Sequence, residues 1–166
     1  MTSRRTPRWP VWIALLTTTA LVSLPLPDAL TPFRPPWATL AIIYWLMMWP
    51  RAFGVGSAWI IGLVIDILYG DLMGQHALGL SIVGYLTLRF HLQIRIFPLW
   101  QLTMTVFALL TVEAFIMFWI DGIVGNPPAG IARWTQVIVG AILWPPVMAI
   151  MDRIRERIEY RDPTFT

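Results

Sequence analysis

Two carboxylic acids sit inside otherwise uncharged runs, Asp66 between Ala52 and Gly70 and Glu113 between Ile96 and Ile120. A carboxyl group in hydrocarbon stays protonated, pairs with a cation, or lines a cavity. Counting about 1.5 Å per helical residue puts both acids several ångström toward the same membrane face, so they could share one depth. Paired acids would suit a proton or cation path, yet the helix around Glu113 adds only Thr103, Thr105 and Thr111. A hydrogen-bonded structural carboxyl is the simpler expectation. Asp66 also belongs to the densest run of polar and small residues, from Gly62 through Gly70, Asp71, Gly74 and His76 to Gly79. Gly62, Asp66 and Gly70 are four apart and share one helical face. Small residues there let a second helix approach closely and shield the acid from lipid; the same spacing also fits a plain packing face with a helix-end carboxylate. Gly70 and Gly74 are expected to end one helix and turn into the next.

Other chemistry is thin. His76 and His91 fall at opposite membrane faces and cannot form one metal site. The chain has no cysteine, which excludes disulfides and thiolate sites. It contains no GxSxG, HExxH or P-loop pattern, and one Asp with one Glu does not match a paired-aspartate intramembrane protease. No catalytic residue, cofactor or metal is expected.

The elements that must position these residues follow from composition. Of 166 residues, 57% are hydrophobic and 13% charged, against about 25% charged in a soluble domain. Six apolar spans of roughly 20 residues would use about 120, leaving no room for a separate soluble domain. Cutting the chain at its charges gives spans at 9–27, 35–50, 52–70, 72–88, 96–120 and 134–151, then an amphipathic tail, 152–166, with Ile150, Ile154 and Ile158 at four-residue spacing. Lipid contact, or docking of a protein partner, would explain that tail. The fold class is thus an all-α polytopic membrane protein in one domain. Pro145 and Pro146 are expected to kink the last span. The segment around Gly122 to Ala132, with Asn126-Pro127-Pro128, reads as the longest outer loop.

Arginine sets direction. The chain has 12 arginines and no lysine, with a formal charge of +3; anionic lipid explains this basicity without nucleic acid. With the N-terminus inside, Arg4, Arg5, Arg8, Arg51, Arg89, Arg95, Arg153, Arg155, Arg157 and Arg161 face the cytoplasm, and only Arg34 and Arg133 lie outside. Six spans with both termini cytoplasmic satisfy that rule. The basic start could instead be a signal peptide, but no convincing small-x-small cleavage site precedes Asp28. Trp37, Trp119 and Trp134 are expected at the outer interface, while Trp45, Trp59 and Trp144 are expected to pack more deeply.

Several segments resemble the rod shape-determining membrane protein family MreD. They are Phe33-Arg34-Pro35-Pro36-Trp37 with Leu40 and Tyr44-Trp45, then Gly62, Asp66, Gly70, Gly74 and Tyr85-Leu86, then Leu99-Trp100-Gln101, and finally Leu143-Trp144-Pro145. Glu113 stands where the family carries an acidic residue. The resemblance covers nearly the whole chain. It implies a non-enzymatic subunit of the bacterial inner membrane that supports peptidoglycan synthesis during elongation. The implied partners are MreC, with MreB, RodZ, RodA and a penicillin-binding transpeptidase in a larger assembly, and a second copy of the chain. It also implies a fold similar to the substrate-binding subunits of energy-coupling-factor transporters.

Two readings follow. In the first, a scaffold binds MreC through helix surfaces lined by Gly62, Gly70, Gly74 and Gly79, with Arg34, Trp37, Asp66, Asp71, Glu113 and Pro145 as further structural or interface candidates. In the second, a small molecule or lipid precursor occupies a cavity near Asp66 and Glu113. A cavity of about 300 Å³ or more with convergent polar groups would favour the second, and a packed interior the first.

Overall fold

The computed structural model describes residues 33–70, 72–125 and 130–161, with side chains as far as residue 157. The expected first span at 9–27, Asp71 and Asn126-Pro127-Pro128 lie outside the described residues. Among the described residues, five helices follow in order: α1 Trp37–Met48, α2 Val55–Tyr69, α3 Gln75–Arg95, α4 Leu99–Val124 and α5 Gly130–Arg161. Among the described residues the regular structure is entirely helical.

The helix α1 explains the arrangement. Every residue from Ala38 to Met47 is buried, so this helix, apolar nearly all round, is enclosed by other helices rather than by lipid. Leu40, Ile43, Tyr44, Trp45 and Met47 are almost completely inaccessible and form one core with Leu80, Val83, Val106, Leu110 and Trp144 of α3, α4 and α5. Trp45 stacks on Trp49 and Phe53, with ring centroids 4.8 and 5.9 Å apart, which anchors the turn after α1. The 12 residues of α1 rise about 18 Å. That is well short of the roughly 30 Å hydrocarbon layer, a shortfall that its protein surroundings tolerate.

The remaining helices alternate in direction. Gly62 and Ala58 of α2 face Ala77 and Gly84 of α3, Gly79 of α3 faces Met117 of α4, and Leu110 of α4 faces Gly140 of α5. Each pair is antiparallel. Helix α5 runs parallel to α1, since Gly140 meets Pro36 while Arg155 Nη1 contacts Met48 Sδ at 2.9 Å. Helices α3, α4 and α5 are long and apolar enough to cross a membrane, whereas α1 and α2 are shorter apolar helices. Exposed Phe107, Phe115, Phe118, Ile138 and Ile142 on α4 and α5 give the outside the apolar character that lipid requires.

Boundaries drawn at charged residues need correction. Helix α3 continues through Arg89 to Arg95, and α4 passes beyond 120 through Asp121. Long arginine stems carry a charge to the interface without ending the helix. Helix α5 begins at Gly130, so the loop expected around Gly122 to Ala132 shrinks to the few residues after Gly125. It also absorbs the tail to Arg161 and contains both Pro145 and Pro146. There Tyr44 donates to Asp152 at 2.6 Å, and Ile154 packs against the core while Ile150 stays exposed. Part of the amphipathic tail therefore docks on its own chain. Trp45 and Trp144 are buried as expected, but Trp59 is 49% exposed and is not a packing residue.

Candidate functional site

The starts of α1, α3 and α5 and the ends of α2 and α4 meet at one end of the bundle, the end that carries Arg34 and Arg133. The opposite end carries Arg51, Arg89, Arg95, Arg153, Arg155 and Arg157. The arginine asymmetry counted along the chain is thus a physical asymmetry between two ends.

Asp66 is buried near the end of α2 and serves the start of α3. Its carboxylate accepts from the backbone N–H groups of Gly74 and His76, each at 2.8 Å, and of Ala77 at 3.4 Å. His76 Nδ1 lies 2.9 Å from the same carboxylate. The first N–H groups of a helix have no partner within it, and Gly74, at the cap position of α3, has no side chain to supply one. An acid from the neighbouring helix does so, favoured by the positive end of the helix dipole.

Three glycines make that reach possible. A methyl group on Gly62 would lie 2.3 Å from Ala77 Cα, so α2 and α3 touch backbone to backbone there. Gly70 and Gly74 have φ of +68° and +101°, in the left-handed region that disfavours side chains. They form the tight turn, with open space where a side chain would begin. Gly79 faces Met117 and Glu113 inside the bundle. Gly62 and Gly79 are therefore occupied by the chain's own helix contacts, and Gly70 and Gly74 by its turn. Of the expected glycine-lined surface, Gly62 and Gly79 thus meet the chain's own helices, while Gly70 and Gly74 have open space beside them.

Glu113 does not pair with Asp66. It is buried midway along α4 and accepts from Thr39 Oγ1 of α1 at 2.8 Å. Two turns further along α4, Asp121 accepts from Gln75 Nε2 at 2.9 Å and from Arg133 Nη2 at 2.5 Å. This cluster ties α3, α4 and α5 together at the arginine-poor end. Sequence reasoning counted Arg133 only for topology and overlooked Asp121, Gln75 and Thr39. The available signal was Asp121 and Arg133 twelve residues apart, flanking a turn between two apolar helices.

These residues surround a cavity of about 370 Å³. Ile65, Leu80, Leu110, Ala114, Met117 and Val137 supply its apolar wall, and Thr39, Gln75, His76, Glu113, Asp121, Arg133 and Gln136 its polar groups. Arg34 and Trp37 line it as well, with the Arg34 guanidinium carbon 5.7 Å from the Tyr69 ring centroid. Asp66 lies behind His76. His91, in contrast, is fifteen residues along α3 from His76, a rise of about 22 Å. Its Nδ1 lies 2.5 Å from the Leu88 carbonyl oxygen. Pro145 is within α5 and does not line the cavity.

A cavity with these groups does not by itself identify a protein, and no solved structure matches the chain. Sequence comparison is more informative. The family model described as rod shape-determining protein MreD matches residues 3–154. A curated relative, the rod shape-determining protein MreD of Haemophilus influenzae (strain ATCC 51907 / DSM 11121 / KW20 / Rd), is 27% identical over 139 residues, covering 81% of this chain and 83% of the relative. The family match takes in α1 to α4 and α5 as far as Ile154, hence every residue of the cavity. This helical membrane protein belongs to the MreD family, whose role is the determination of rod shape.

Proposed function

We propose that the chain is a non-enzymatic subunit of the bacterial inner membrane that binds MreC and supports peptidoglycan synthesis along the cell cylinder, in an assembly with MreB, RodZ, RodA and a penicillin-binding transpeptidase. The observation that carries this reading is the family match over residues 3–154. The buried acids support the non-enzymatic part: Asp66, Glu113 and Asp121 hold helices to one another through hydrogen bonds. Six spans with both termini cytoplasmic, and a fold like that of energy-coupling-factor substrate-binding subunits, belong to the same reading.

Binding should involve helix surfaces within the bilayer, because the turns at the arginine-poor end are short and even a modest interface needs several hundred Å² from each partner. The test is capture from solubilised membranes with the tagged chain. Full-length MreC should be retained and its soluble periplasmic domain alone should bind much more weakly. Absence of full-length MreC beside a folded chain would contradict the partner, and equal capture of the soluble domain would contradict the membrane interface.

The cavity favours a second reading, in which the same subunit also holds a small molecule. Its volume of about 370 Å³ lies within the range of ligand sites, and polar groups from four helices converge on it.

A further inference from the structure

We propose that this cavity binds one ligand carrying a phosphate-class oxyanion, held by the donors that Arg133, Trp37 and Arg34 bring to its lining. The inference rests on the ligand-holding reading of the cavity and names the chemistry it would select. Arg133 is half engaged: Nη2 is bonded to Asp121, while Nη1 is buried without a hydrogen-bond partner. The indole N–H of Trp37 is also buried and unpartnered. Trp45 and Trp144 share that property, but neither lines this cavity. What singles out Trp37 is that it lines the same cavity as a half-satisfied guanidinium. Both groups can only donate, so their natural complement is an acceptor, and an anionic oxygen forms the strongest such bond.

Arg34 adds a second cation to the wall, positioned over Tyr69. Both acids of the lining are already engaged: Asp121 accepts from Gln75 and Arg133, and Glu113, eight residues deeper along α4 and about 12 Å away by helical rise, accepts from Thr39. Around and below Glu113 the wall is Leu80, Leu110 and Ala114, which suits an uncharged portion of a ligand. The oxyanion could belong to a lipid headgroup or to a soluble phosphate, and these two sources respond differently to the probes below.

The experiment measures the thermal midpoint of the purified full chain in dodecyl maltoside against rising inorganic phosphate, dihexanoyl phosphatidic acid or dihexanoyl phosphatidylcholine. A ligand that binds only the folded state raises the midpoint. Phosphatidic acid should raise it at lower concentration than phosphatidylcholine. Inorganic phosphate matching phosphatidic acid would assign the site to a soluble anion, and a much weaker effect would assign it to a lipid headgroup. Trp37→Phe keeps the ring and removes the donor, and Arg34→Gln removes a cation outside the Asp121 pair. Each should weaken phosphatidic acid binding by about tenfold. Arg95→Gln, at the opposite end, should leave it unchanged.

Phosphatidylcholine acting as strongly as phosphatidic acid would overturn the oxyanion assignment while leaving a ligand cavity. So would a wild-type response from both Trp37→Phe and Arg34→Gln. No shift with any probe would remove the ligand-holding reading together with the proposal.

Discussion

At the scale of single residues, Asp66 does most to determine the local structure. It replaces the missing cap of α3 from another helix, with two backbone N–H groups at 2.8 Å and a third at 3.4 Å. Asp66→Asn retains one acceptor oxygen and should lose about 1–2 kcal/mol, while Asp66→Leu leaves buried donors without partners and should lose about 3 kcal/mol or more. Reversible denaturation in mixed micelles measures both. Equal losses would contradict the capping role. The glycines separate similarly. Gly62→Ala forces a methyl group into the Ala77 backbone and should destabilise by about 2 kcal/mol or more. Gly70→Ala meets no atom and should lose only the strain of a left-handed residue, about 1–2 kcal/mol. The same denaturation experiment ranks them, and a harmless Gly62→Ala would refute the backbone contact between α2 and α3.

At the scale of elements, sequence was most informative where local chemistry decides. Gly62 and Asp66, four residues apart, indicated the face that meets another helix, and Gly70 and Gly74 indicated the turn. What spacing could not supply was the central position of α1, because its apolar side chains read the same whether they meet lipid or protein. Trp59 failed for the converse reason: an indole facing outward in a span looks identical in sequence to one facing inward. A cavity near Asp66 and Glu113 was the second of the two sequence readings; the observed cavity reaches Glu113 but not Asp66, and its polar wall depends on Asp121, Arg133 and Trp37 from three helices that only the tertiary fold brings together. Helix direction yields a direct prediction. The chain lacks cysteine, so single cysteines report cleanly. Ile131→Cys, at an 82% exposed position, should react with a membrane-impermeant maleimide in intact cells once the outer membrane is permeabilised. Ile96→Cys, at an 81% exposed position, should react only after the inner membrane is opened. The reverse pattern would invert the topology.

At the scale of the whole molecule, the described helices form an arginine-rich end, an apolar middle and a polar cavity at the other end. That division suits a protein held across a membrane with one end presenting a site. Family membership places the molecule in rod shape determination, and the proposed assembly makes its contribution continuous, since a structural subunit is needed for as long as the cylinder elongates. The most direct measurement is therefore depletion of the chain in its own growing cells, with cell width and length followed by microscopy and the protein restored from an inducible copy. The account predicts that cells widen and round as the chain is lost and return to rods when it is resupplied. Rods that keep normal width and continue to elongate after the chain is gone would contradict it.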